Sequence, residues 1–136
     1  MNDDLYKAYI LDVYKNMHNK HSLENAVVME EGYNASCGDK LKIYIQLDNN
    51  IVTDMSFTGE GCILSQVSAE VLSDIMKGKT IANIEAFTIT DLLDTLGIHP
   101  LPTRIRCIEL SLKAEKEGLR KQQNNGKEKE VTAKEQ

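Results

Sequence analysis

Residues Lys40 to Leu47 alternate with a period of two, with Leu41, Ile43, Ile45 and Leu47 on one side and Lys40, Lys42, Tyr44 and Gln46 on the other. A segment of this kind is a strand with one face against a core and one face in water. Asp48-Asn49-Asn50 follows, and these residues tolerate the left-handed backbone of a tight turn. From Ile51 to Thr58 the alternation resumes through Ile51, Thr53, Met55 and Phe57. The two runs predict an antiparallel hairpin, and the rest of the chain must supply a cover for its apolar face.

The flanks supply that cover as helices. Leu5, Tyr6, Ile10, Val13, Tyr14 and Met17 recur at helical spacing behind Asp3 and Asp4, which predicts a first helix over about Asp4 to Met17. A loop from His18 to Asn25 leads to a short Val-rich strand over Ala26 to Glu31. After Gly59-Glu60-Gly61, a helix is expected from Cys62 to Lys77, with Ile63, Val67, Val71 and Ile75 on one face and Gly78 closing it. Asp91 to Leu96 reads as a short helix ended by Gly97, and the prolines at 100 and 102 mark a loop. Ile105, Ile108, Leu112 and Leu119 predict a last helix from about Thr103 to Lys121, with Lys113 to Lys121 as a charged face bearing a Glu117–Lys121 pair. The polar stretch Gln122 to Gln136 is expected to be a disordered tail, leaving 1–121 as one domain. The class is α+β, a three-stranded antiparallel sheet packed against helices.

Charge narrows the function classes. Residues 1–112 carry 9 basic and 16 acidic side chains, whereas 113–136 carry 7 and 5, within a net charge of −5 over 136 residues. No concentrated basic face exists for a nucleic acid or an anionic membrane, so neither is an expected partner. No stretch approaches the roughly 20 apolar residues that cross a bilayer, and no apolar leader follows Met1, so a cytoplasmic protein is expected.

That setting leaves three thiols to explain, since an odd count in a reducing compartment does not make a disulfide framework. They occur as Ser36-Cys37-Gly38-Asp39, Gly59-Glu60-Gly61-Cys62 and Arg104-Ile105-Arg106-Cys107. Cys37 lies in the turn before the hairpin. Cys62 stands at a helix N-terminus, whose partial positive charge favours thiolate, and Cys107 has Arg104 and Arg106 near it. Separations of 25 and 45 residues mean that only the tertiary fold could bring them together. If it does, three thiolates and Asp39 form a four-ligand set suited to Zn²⁺ or to iron with sulfide, with the oxygen donor as its weak and exchangeable member.

Four ordered motifs give the chain a family likeness. Leu11-Asp12-Val13-Tyr14-Lys15-Asn16, Ser36-Cys37-Gly38-Asp39, Gly59-Glu60-Gly61-Cys62-Ile63-Leu64-Ser65-Gln66 and Pro102-Thr103-Arg104-Ile105-Arg106-Cys107 resemble the SufU/IscU family of iron–sulfur cluster assembly proteins, the same domain as the N-terminal part of NifU. The resemblance covers about Leu5 to Arg120. It implies a site formed by Cys37, Asp39, Cys62 and Cys107, holding zinc as isolated or an iron/[2Fe–2S] cluster. It also implies a pyridoxal-phosphate cysteine desulfurase of the SufS/IscS kind as sulfur donor, and downstream cluster-assembly or apo-proteins as recipients. Cys37 is the expected sulfur acceptor in the SufU manner, and Cys107 if the chain works as IscU does. Arg106 stands where the IscU branch has a histidine, and Leu101-Pro102-Thr103-Arg104 lacks that branch's proline-rich chaperone motif. The 45-residue spacing, in turn, leaves no room for the insertion usual in the SufU branch.

Two rival readings stand beside this one. A structural zinc domain that binds a protein partner predicts a closed site without sulfur chemistry. A thiol hydrolase would need His18, His21 or His99 against a cysteine; the first two fall in a polar loop, and His99 could approach Cys107 through the proline loop.

Overall fold

The structure, a computed structural model, describes the backbone of residues 3–135 and the side chains of residues 7–124. Its order is α1 (Asp3–Lys15), β1 (Val28–Asn34), β2 (Asp39–Asp48), β3 (Ile51–Glu60), α2 (Ile63–Met76), α3 (Ile81–Ala86), α4 (Ile89–Leu96) and α5 (Pro102–Glu135). The strands form an antiparallel sheet in the order β1-β2-β3, packed against helices as expected. Leu41, Ile43 and Ile45 of β2, with Met55 and Phe57 of β3, are fully buried against Val67, Leu72 and Met76 of α2 and Ile108 and Leu119 of α5. No helix among the described residues is long and apolar enough to cross a membrane.

The hairpin turn is made as its residues suggested: Asn49 and Asn50 take φ of 53° and 64°. The alternation in β3 is corrected at its start. Gln46 pairs with Asp54 but Leu47 pairs with Val52, so Thr53 is an extra residue in the ladder. That bulge turns Val52 into the core and leaves Ile51 exposed. β1 begins and ends later than Ala26 to Glu31, because its pairing with β2 continues to Asn34 opposite Asp39.

The helices show where period counting fails. In α2 the buried face runs through Ser65, Val67, Ser68, Ala69, Leu72 and Met76, while Ile63 is exposed and Val71 and Ile75 are half-buried. Small side chains hide the true seam from a hydrophobicity count. Six residues are too few for a period, so α3 gave no sequence signal; Thr80 caps it by accepting from Asn83 N–H at 3.1 Å. α4 starts at Ile89 because Thr88 and Asp91 form a reciprocal capping box, and Gly97 at φ 70° ends it.

α5 continues to Glu135, past the expected end at Lys121 and through the stretch read as a tail. A helix already anchored by packing can propagate beyond its last core contact through helix-compatible Gln, Lys and Glu, with Asn124, Asn125 and Gly126 as its weak point. Burial nevertheless stops at Leu119, and 120–124 are exposed. The charged face is likewise corrected: Ala114, Glu115 and Gly118 are buried, and Lys121 pairs with Glu30 of β1 at 2.5 Å rather than with Glu117. Gly118 is a requirement of that contact, because a Cβ there would come within 2.7 Å of Val28 Cγ1.

The strand register explains where the cysteines must go. Asn34 faces Asp39, and Lys40 faces Glu60, so the β1–β2 turn and the exit of β3 lie at the same end of the sheet. Cys37 is in that turn, and Cys62 is the N-cap residue just beyond that exit.

Candidate metal and sulfur site

At this end of the sheet the structure brings Cys37, Asp39 and Cys107 together. One ligand atom from each lies within 4.8 Å of the others. Cys107 enters from the second turn of α5, is fully buried, and donates to Cys37 Sγ at 2.9 Å. Cys37 is exposed and Cys62 half-buried, and all three cysteines are free thiols. Cys62 falls outside the tightest group, yet its sulfur is close enough to act on that of Cys107 both as a hydrogen-bond partner and as a charge. Burial, followed by the neighbouring Cys37 and Asp39 side chains, pushes the Cys107 thiol well above the usual thiol range in the metal-free chain.

Asp39 is the informative member. Its side chain is fully buried, and Oδ1 accepts the Cys62 backbone N–H at 2.8 Å, which ties the start of β2 to the start of α2. Oδ2 has no hydrogen-bond partner. A buried carboxylate oxygen without a partner is costly, by about 1–3 kcal/mol or more for a charged group, and a cation shared with the neighbouring thiolates removes that cost. The donors fit Zn²⁺, or iron with sulfide, by type and number. Gly61 keeps the cradle open: at φ 155° its hydrogen faces Asp39 Oδ1, and a Cβ would collide with that oxygen and lie 2.8 Å from Ser65 Oγ.

The histidines lie elsewhere. His18 bonds Glu70 at 3.0 Å through Nδ1 and Asp74 at 2.9 Å through Nε2. Both carboxylates raise its pKa, the bond to Asp74 most. Asn19 beside it donates to the buried Glu70 and accepts from Lys77 at 2.9 Å, so the cluster is a clamp between the segment after α1 and α2. His21 bonds Ser22 O at 3.0 Å, and His99 is exposed. Among the described residues no histidine joins the group around Cys37 and Cys107, which removes the support for a thiol hydrolase. Arg104 and Arg106 are exposed.

Sequence reading missed Asn34. Its side chain reaches Cys107 Sγ at 3.7 Å from the end of β1, and its Oδ1 accepts Ser36 N–H at 3.3 Å. An Asn three residues before a cysteine in a turn is the only signal that pointed there.

A three-stranded sheet under helices, with thiols and a carboxylate gathered at one end, defines a class of small metal-handling domain. The NifU-like N terminal domain family matches residues 5–129, and the chain belongs to it. It is 33% identical to the zinc-dependent sulfurtransferase SufU of Bacillus subtilis (strain 168), over 89% of this chain and 93% of that protein. Its identity with the iron-sulfur cluster assembly scaffold protein IscU of Thermotoga maritima is 29%, over 86% and 94%. Among solved structures, a protein assigned as a cluster assembly scaffold for the SUF system (FiSufU), from Fervidobacterium islandicum AW-1, superposes with a TM-score of 0.71 at 28% identity, covering 88% of this chain and 99% of that one. The N-terminal part of a nitrogen-fixing NifU-like protein from Brucella abortus superposes with a TM-score of 0.74 at 21% identity, a likeness of fold.

Proposed function

We propose that this chain is an iron–sulfur cluster biogenesis protein that accepts persulfide sulfur at Cys37, with Cys37, Asp39, Cys62 and Cys107 as its metal ligands. The unpartnered Oδ2 of Asp39 beside two thiols is the observation that carries the reading. A bound zinc ion holds its thiolates deprotonated at neutral pH, which supplies a ready nucleophile. The relatives include both a zinc-dependent protein and scaffolds of cluster assembly, and this donor set suits zinc and an iron–sulfur cluster alike.

Exposure selects the acceptor. Cys37 stands in an exposed turn, and Cys107 is fully buried. In the transfer, the Cys37 thiolate attacks the terminal sulfur of a desulfurase persulfide. The S–S bond of that persulfide breaks, the desulfurase cysteine leaves as thiolate, and Cys37 becomes the persulfide with no net oxidation. The donor enzyme is a pyridoxal-phosphate cysteine desulfurase of the reducing cytoplasm. It docks over a groove of about 640 Å³ between α1 and the starts of α2 and α5, lined by Ile10, Leu11, Cys62, Ile63, Leu64 and Arg104. The exposure of Cys37 disfavours the structural-zinc rival, which needs a closed site.

The test mixes the chain with a cysteine desulfurase, cysteine and radiolabelled sulfur. Labelling of the parent that is abolished in Cys37→Ser supports the reading. Undiminished labelling of Cys37→Ser removes Cys37 as acceptor, and an unlabelled parent returns the structural-zinc rival.

A further inference from the structure

Asn34 closes two structures with one carboxamide. Its backbone carbonyl accepts Gly38 N–H at 2.8 Å, and its Oδ1 accepts Ser36 N–H at 3.3 Å, so it brackets the turn that carries Cys37. A backbone N–H can only donate, which fixes the oxygen of the amide on Ser36 and aims the NH₂ group at Cys107 Sγ, 3.7 Å away. That distance suits sulfur, whose radius exceeds that of oxygen. Among the described residues it is the one N–H donor to this sulfur, and the Cys107 thiol in turn donates to Cys37. The three groups form a chain, amide to Cys107 to Cys37, that runs from the half-buried end of β1 through the buried Cys107 to the exposed turn.

From this arrangement we propose that Asn34 is a positioning residue that keeps Cys107 as the resident metal ligand and leaves Cys37 as the sulfur that departs, an inference that rests on the metal site proposed above. A thiolate that accepts an N–H bond holds its charge more tightly, donates it less to other electrophiles and keeps its orientation toward the ion. Cys107 has that bond. Cys37 has no N–H donor among the described residues, and Asn34 only shapes the turn in which it sits. One side chain therefore distinguishes two thiolates that the ion alone would treat alike.

Two substitutions separate the donor from the turn anchor. Asn34→Asp keeps an oxygen for Ser36 N–H and replaces the donor with an acceptor, whereas Asn34→Ala removes both. Both variants and the parent would be loaded with Co²⁺ for the thiolate-to-metal charge-transfer band, and with Zn²⁺ for release to a chromophoric chelator. Loss of the donor is expected to move the charge-transfer band to lower energy and to speed zinc release roughly tenfold or more in both variants. If Asn34→Asp matches the parent in band and release, the carboxamide serves only the turn and the proposal falls, whatever Asn34→Ala does. A parent that takes up no Co²⁺ removes the metal site and this proposal together. A parent that binds metal but accepts no labelled sulfur overturns only the transfer reading.

Discussion

Among the described residues two carboxyl groups are buried without enough partners, and their surroundings differ. Asp39 sits at the end of the sheet with Oδ1 bonded and Oδ2 free, beside Cys37 and Cys107. Glu115 sits in the middle of α5 with neither oxygen bonded, one turn beyond Ser111, whose hydroxyl is also unpartnered. Burial pushes the Glu115 carboxyl up to about 8, with Glu85 adding to the shift and Lys116 opposing it. The same local cost is met in two ways. Thiols beside Asp39 give it the surroundings of the cation site proposed above, while burial favours the protonated, neutral form of Glu115. An unpartnered acid alone does not mark a ligand; the donors around it do.

Removing the metal gives the largest effect expected from this contrast. Occupancy at about a thousand times the dissociation constant stabilises a fold by roughly 4 kcal/mol, so chelation should lower the melting temperature by about 10 °C or more. Differential scanning of metal-loaded and chelated protein measures it. Coincident curves would place Asp39 in the same category as Glu115, a buried acid with no cation to serve.

Glu115 gives the next effect, read best in chelated protein. In the unfolded chain its pKa is near 4.5 and in the native state about 8, so between those values the native state retains a proton that the unfolded chain has lost. Stability therefore falls as pH rises through that window and levels off above it, by on the order of 4 kcal/mol in total. Glu115→Gln should flatten that decline, seen as a smaller drop in urea midpoint between pH 5 and 9. Metal binding carries the opposite slope, because its thiols must lose protons. Equal pH slopes for the parent and Glu115→Gln would show that this carboxyl titrates normally.

Asp39→Ala sharpens the other half. It removes the weak oxygen donor and the acceptor for Cys62 N–H but leaves three thiolates, so the domain should still fold, with a modest loss of about 1–2 kcal/mol from the uncapped helix start. Metal exchange should slow or alter, because the member of the set that opens most easily is gone. Unchanged exchange kinetics, measured by isotopic zinc, would show that Asp39 does not ligate.

Legibility followed the same contrast. The sheet and its turn were readable because strand alternation and Asn49-Asn50 are local properties, and the candidate group of Cys37, Asp39 and Cys107 that the fold brings together stood out because thiols are rare and sat in recognisable motifs. The bulge at Thr53 was not, since Ile51, Thr53, Met55 and Phe57 alternate on paper as well as any regular strand. Nor was Glu115: in a stretch with Lys113, Lys116, Glu117 and Lys121 it looks like one more solvated charge. Its spacing gave one clue, because Cys107, Ser111 and Glu115 follow at intervals of four, the same face of a helix. The seam of α2 was hidden for the related reason that Ser65, Ser68 and Ala69 bury without registering as hydrophobic.

The smallest effect is expected at the far end of α5, where neither kind of burial operates. We take 1–121 as the folding unit, because Leu119 is the last buried side chain on this helix among the described residues, and Lys121 makes the last contact back to the sheet, with Glu30. The helix beyond it is continuous to Glu135, yet residues 122–124 are exposed and bring no apolar face to the core. Exposed helical turns contribute only a few tenths of a kcal/mol through propensity and side-chain pairs. A chain ending at Lys121 should therefore melt within about 2 °C of the full chain and bind zinc with the same affinity, both with and without metal present. A drop comparable to that caused by chelation would mean that 122–136 packs on the domain, and would extend the domain boundary to the end of the helix.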